Sequence, residues 1–130
     1  MTNVVVLGHG GYGTATERNL NMLVGAPEAF RFIDFDEQDD LTVLQQKIAA
    51  VLSGLEENAQ VLFACDLTGG SPFREAAALC LLHEGWVTVA GLNTAAYAEM
   101  TFNLDLCPLE LAEMAMETAK QAIMVFPQKE

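Results

Sequence analysis

Four stretches of the chain read as strands, the first and third of them apolar without the alternation of a half-solvated strand, and helical periodicity separates them. Val4-Val5-Val6-Leu7 opens the series, and an uninterrupted β-branched run of this kind predicts a strand buried on both faces. Further strands are expected at residues 30–35, 60–65 and 86–90. Between them, Leu20, Met22, Leu23 and Val24 carry a helix beginning near Thr14 and stopped by Gly25-Ala26-Pro27. Leu41, Leu44, Ile48, Val51, Leu52 and Leu55 have the spacing of an amphipathic helix that Asp39 or Asp40 can cap. A third helix runs from Ser71 to about Glu84, a fourth from Thr94 to Thr101, and a fifth starts at Pro108. Residues 123–126, Ile-Met-Val-Phe, either extend the last helix or make a short final strand. The order β-α-β-α-β-α-β predicts an α/β fold: a doubly wound, mostly parallel four-stranded sheet with helices on both faces. Neither a repeat nor a linker divides the chain, so residues 1–130 are expected to form one domain.

Two loops interrupt this pattern with chemistry. In Gly8-His9-Gly10-Gly11-Tyr12-Gly13, a histidine among glycines stands at the carboxyl end of the first strand, the edge of an open α/β sheet where ligands collect. Taken alone, His9 is either a turn histidine without a task or a reactive group. The third strand is followed by Asp66 and then Gly69-Gly70-Ser71-Pro72-Phe73. A glycine pair leading into a helix, with Ser71 expected at the N-cap and Pro72 at the first helical position, presents backbone N–H groups to an anion. No Walker lysine accompanies them, and a well-capped helix is the plainer account. The two loops are more informative together. If strands one and three are neighbours, Asp66 can fix the tautomer of His9 and leave the other ring nitrogen as a nucleophile. The amides of Gly69, Gly70 and Ser71 would then stabilise phosphoryl oxygens.

Composition narrows the partners. The chain has 130 residues, is 52% hydrophobic, and carries a formal net charge of -12. That charge argues against nucleic acid, which needs lysine and arginine at its phosphates, and favours a basic protein partner or solubility alone. Cys65, Cys80 and Cys107 lack any CxxC spacing, so neither a zinc site nor a disulfide framework is expected, and Cys65 reads as buried and inert. No stretch suits a signal peptide or a membrane span, which points to the cytoplasm. The run from Asp34 to Asp40 reads as a solvated loop, since its aspartates lack the ligand spacing of a divalent-metal site. His83 is expected to meet terminal helix carbonyls, and the methionines to pack a core or a dimer face. No metal or cofactor is expected.

Leu7-Gly8-His9-Gly10, Asp66, Gly69-Gly70-Ser71-Pro72-Phe73 and Gly91-Leu92-Asn93 together resemble the IIA component of the mannose-type sugar phosphotransferase system (PTS). The resemblance spans nearly the whole chain, and its most specific part is Gly-Gly-Ser-Pro-Phe after an aspartate. It implies that His9 accepts a phosphoryl group on Nε2 from the phosphocarrier HPr and passes it to a IIB component, which serves a IIC/IID permease. Asp66 matches the partner of Nδ1, and Ser71 the hydroxyl and amide near the phosphate. It also implies a homodimer in which residues 123–126 form an antiparallel strand on the other subunit's sheet. Gly8 stands where mannose enzymes commonly carry threonine, and Leu67-Thr68 where they carry Thr-Trp; the Gly-His-Gly-Gly start is nearer the branch serving amino sugars such as N-acetylgalactosamine. The chain stops soon after that strand, so IIB is expected on a separate polypeptide. Two readings compete with the carrier: a flavodoxin-like module holding a nucleotide or flavin phosphate at residues 69–73, with Tyr12 and Tyr97 the tyrosines available to hold a ring, and a regulatory protein that binds partners according to its phosphorylation.

Overall fold

The computed structural model describes residues 1–129. Its strands are β1 (Thr2–His9), β2 (Phe30–Phe35), β3 (Gln60–Cys65) and β4 (Val87–Ala90); its helices are α1 (Tyr12–Leu23), α2 (Leu41–Ser53), α3 (Ser71–Leu82), α4 (Thr94–Met100) and α5 (Pro108–Ala122). The four strands are all parallel, in the order β2-β1-β3-β4. The unbroken apolar run of β1 follows from its central place. Val4 and Val6 pack into one core with residues of α1, α4 and α5, and Val5 and Leu7 into a second with residues of α2 and α3. All four are fully buried, each stabilising the fold by roughly 1.5–3 kcal/mol through removal of apolar surface from water.

This order puts β1 beside β3, with Leu7 opposite Cys65. Chain direction switches there: from β1 one connection leads outward to β2, while β3 and β4 lie on the other side. Such a switch opens a crevice at the carboxyl edge of the strands, and the last residue of β1 is His9.

Several local expectations are revised. Strand β1 runs through His9 rather than stopping near Leu7, because pairing with β2 continues to His9 opposite Phe35 and the N–H of Gly10 donates to the carbonyl of Phe35 (2.8 Å). Gly10, with φ +58°, makes the turn, so α1 begins at Tyr12. The cap of α1 is supplied from another strand: Asp34 accepts from the N–H (2.9 Å) and hydroxyl (2.5 Å) of Thr14. The N-cap of α3 is Gly70, not Ser71, and it makes no side-chain cap bond; Ser71 is the first helical residue. Asp40 does cap α2, accepting from the N–H of Val43. The acidic run is organised by a lysine: Lys47 Nζ donates to the Asp34 carbonyl (2.8 Å) and pairs with Asp39 (2.6 Å) and Asp36 (3.2 Å). Its hydrogen bond holds the Asp39 carboxyl below the ordinary carboxylate range and raises the ammonium of Lys47. His83, the C-cap of α3, lies stacked on Trp86 with ring centroids 3.8 Å apart. Met100 is core, whereas Met22 and Met124 are exposed. Residues 123–126 form no strand in this chain; they leave α5 exposed and without a sheet partner among the described residues.

Candidate functional site

The carboxyl edge of β1 and the loop after β3 bring His9 and Asp66 together. One carboxylate oxygen, Oδ2, accepts from the backbone N–H of His9 (2.9 Å) and lies 2.8 Å from its Nδ1. The double bond sets both the chain position and the ring orientation of the histidine. With Asp66 ionised, Nδ1 must carry the proton, so the neutral ring keeps its lone pair on Nε2. The imidazole is open to solvent at 45% of its side-chain surface, against 18% for Asp66. Its remaining walls are Phe35, edge-on with centroids 5.8 Å apart, and Gly70. A Cβ added at Gly70 would stand 2.7 Å from His9 Cε1 and 3.4 Å from Nε2. The ring edge bearing Nε2 therefore faces the turn that starts α3.

That turn is built to present amides. Gly69 has φ +82°, a region that disfavours any residue with a Cβ. Ser71 and Phe73 then lie in the first turn of α3, where amides have no intrahelical acceptor and the helix dipole favours an anion. His9, Asp66 and Gly70, from two distant stretches of sequence, thus meet at one crevice, with Gly69 and Ser71 on either side of Gly70 in the same turn. A ring nitrogen with an oriented lone pair and a carboxylate behind it can act as a nucleophile. Among the described residues no group of three or more histidine, cysteine, aspartate or glutamate side chains could hold a metal ion.

Two neighbours, Gly8 and Tyr12, take a place beside Asp66 that the sequence did not assign them. Gly8 is where Tyr12 and Asp66 close on the backbone: a Cβ there would lie 2.6 Å from Tyr12 Cδ2 and 2.7 Å from Asp66 Cγ. Tyr12 is in turn hydrogen-bonded through its hydroxyl to that of Tyr97, which is 2% exposed. The two tyrosines, named from sequence as rings available to a bound nucleotide, are engaged with each other through their hydroxyls.

Cys65 ends β3 directly before Asp66, but burial, with added repulsion from Asp66 and Cys80, pushes its thiol up to about 12. Cys65 is fully buried and stays a thiol at pH 8. Iodoacetamide at that pH is expected to modify exposed Cys107 and leave Cys65 untouched in the folded protein, as peptide mass mapping would read out.

The EIIA-man family model, described as PTS system fructose IIA component, matches residues 3–106. The chain is 31% identical over 132 aligned positions to the PTS system mannose-specific EIIAB component of Escherichia coli (strain K12), an alignment covering 99% of this chain and 41% of that protein. It is 28% identical over 93 positions to the PTS system fructose-specific EIIA component of Bacillus subtilis (strain 168), covering 72% of this chain and 64% of that one. The chain therefore spans less than two thirds of the length of either relative. Among solved structures, the mannose/sorbose specific IIA subunit of the phosphotransferase system from Enterococcus faecalis is similar with TM-score 0.89 and 26% identity, over 99% of this chain and 97% of that one. Phosphotransferase system component EIIA from Streptococcus agalactiae has the same fold, with TM-score 0.86 at 18% identity over 97% and 98% of the two chains.

Proposed function

Since the chain belongs to the EIIA-man family of phosphotransferase-system IIA components, we propose that it is a cytoplasmic phosphocarrier in which His9 takes a phosphoryl group from phospho-HPr and passes it to a IIB component. The observation that carries this reading is the orientation of one ring: Nδ1 bound by Asp66 and Nε2 turned toward Gly70. The lone pair on Nε2 attacks phosphorus, and the bond from phosphorus to the donor's histidine nitrogen breaks. The donor imidazole leaves with its own N–H, and the proton on Nδ1 of His9 stays in place. No net proton transfer is needed. The His9 ring gains positive charge as the bond forms, and the Asp66 carboxylate offsets it; the amides of Gly69 and Ser71 meet the phosphoryl oxygens, joined by that of Gly70 as it gives up its long bond (3.4 Å) to the Leu67 carbonyl. Reactants of this kind need positioning above all. We assign residues 1–130 to a single IIA domain that works with IIB and IIC/IID components. Its Gly8-His9-Gly10-Gly11 start supports the amino-sugar branch. Exchange of residues 123–126 between two copies is supported by their exposure and by the unpaired outer edge of β4. No described helix is long and apolar enough to cross a membrane.

The test is reconstitution with phosphoenolpyruvate, the first enzyme of the system and HPr. The chain should gain one phosphoryl group, stable in base and lost in acid, located on Nε2 by NMR; failure to gain it rejects the proposal.

Gly70→Ala should separate the site from the fold. The backbone of Gly70, at φ -73° and ψ 171°, accepts alanine without strain. The new methyl would meet a ring that Asp66 and Phe35 hold from the other sides. A displacement of that order costs ~100-fold in rate. Phosphoryl uptake should therefore drop ~100-fold while the melting temperature moves by no more than about 4 °C, a shift of ~1 kcal/mol.

A further inference from the structure

Asp66 holds its two oxygens in unequal surroundings. Oδ2 takes both donors of His9, while Oδ1 is buried with no hydrogen-bond partner among the described residues. An ionised oxygen in that condition is costly to bury, and something must keep water from it. Tyr12 stands beside the carboxylate: its ring edge and the Asp66 carboxyl carbon lie on the same side of Gly8, 2.6 Å and 2.7 Å from where a Cβ there would stand. The ring is held from behind. Its hydroxyl bonds to that of Tyr97, which sits in the core shared by α1, α4 and α5, and the two rings meet edge to face with centroids 6.4 Å apart. Asp34, by capping the first turn of α1 at Thr14, fixes the helix from which Tyr12 projects.

We propose that Tyr12, pinned by Tyr97, is a positioning residue that acts through Asp66: its ring shields the carboxylate from water, so that the hydrogen bonding of Asp66 is directed to His9 alone. The inference rests on the phosphocarrier reading for its purpose, but not for its test. A carboxylate screened from water binds its remaining donors more strongly, because the local dielectric is lower. The strengthened bond fixes the Nδ1–H tautomer and leaves Nε2 bare. The phenols behave as this arrangement requires. Burial raises both above the ordinary tyrosine range; the bond to Tyr97 opposes the rise at Tyr12, and the nearby charge of Asp66 adds to it at each. Both remain neutral at physiological pH, so the lid adds no charge of its own beside the carboxylate.

The tautomer ratio of His9, read from ring ¹⁵N shifts with selectively labelled histidine, measures this hold directly. Tyr12→Ala removes the lid and should lower the Nδ1–H to Nε2–H ratio by ~10-fold, equivalent to about 1.4 kcal/mol. Tyr12→Leu, which keeps apolar bulk on α1 without the flat ring, should lower it in the same direction and serves if the alanine variant does not fold. The double variant Tyr12→Phe/Tyr97→Phe keeps both rings and strands neither hydroxyl; its ratio should stay within about two-fold of the parent. A parental ratio in folded Tyr12→Ala or Tyr12→Leu overturns the proposal, as does a double variant that falls as far as they do. Phosphoryl uptake is scored separately on the same samples. A parent chain that takes up none rejects the carrier reading, while the tautomer ratio still judges the lid.

Discussion

His9→Ala is expected to take up no phosphoryl group from phospho-HPr under conditions that load the parent chain fully, while keeping its fold. In the proposed transfer the imidazole is the nucleophile, so its loss removes the bond-forming atom rather than slowing the step. Structure loss should be small. The ring is 45% open to solvent and touches the rest of the chain chiefly at Asp66, Phe35 and Gly70. The backbone N–H of residue 9 still finds Asp66 Oδ2 in the variant, because that bond does not involve the side chain. A cost of about 1 kcal/mol is expected, the ordinary scale for a substitution at an exposed edge. The second histidine is the internal control. His83 caps the far end of α3 and stacks on Trp86, at the opposite edge of the sheet from the amide turn. His83→Ala should load like the parent, and label on His83 in the His9→Ala chain would contradict the assignment of the acceptor.

The two central strands were legible in the sequence because they are buried on both faces. Continuous apolar runs mark such strands, and the boundaries expected for β2 and β3 coincide with those found. The pairing of His9 with Asp66 was legible only as a condition, since sequence does not say which strands are neighbours; the order β2-β1-β3-β4 satisfies it. What sequence could not carry were contacts between elements. The start of α1 looks uncapped locally, because its acceptor is Asp34 on another strand. The lysine that gathers Asp36 and Asp39 lies on α2, well beyond the acidic run. Ser71 looked like an N-cap because serine prefers that place, yet the extended backbone of Gly70 already provides the turn and lets the imidazole come close. Gly8 reads as one glycine among several until the Tyr12 ring and the Asp66 carboxyl are seen to share its space. The tail could not be resolved from pattern either: residues 123–126 are apolar enough for a strand, but a strand needs a partner edge, and here they lie exposed against none among the described residues.

Asp66→Ala should slow phosphoryl uptake by ~1,000-fold, and Asp66→Asn by a smaller factor, on the order of 10–100, with both chains folded. The carboxylate performs two separable tasks. It orients the ring, through bonds of 2.9 Å and 2.8 Å to the backbone N–H and Nδ1 of His9, and its charge offsets the cationic ring that forms as Nε2 gains phosphorus. Hydrogen bonds to a charged partner are worth ~1.5–3 kcal/mol, and each 1.36 kcal/mol of barrier is a factor of ten in rate. Alanine loses orientation and charge together, and lets the ring relax toward the Nε2–H tautomer, in which the nucleophilic lone pair is gone. Asparagine can keep its carbonyl oxygen where Oδ2 stands, accepting from the same two donors, so the tautomer survives and only the charge is lost. Its amide nitrogen then fills the dry place of Oδ1 beneath Tyr12, which limits how well that geometry is held. Stopped-flow transfer from phospho-HPr, with thermal melts of all three chains, separates the terms. Equal rates for Asn and Ala would mean that charge, not orientation, is what Asp66 contributes, and full-rate transfer in Asp66→Ala would remove it from the mechanism.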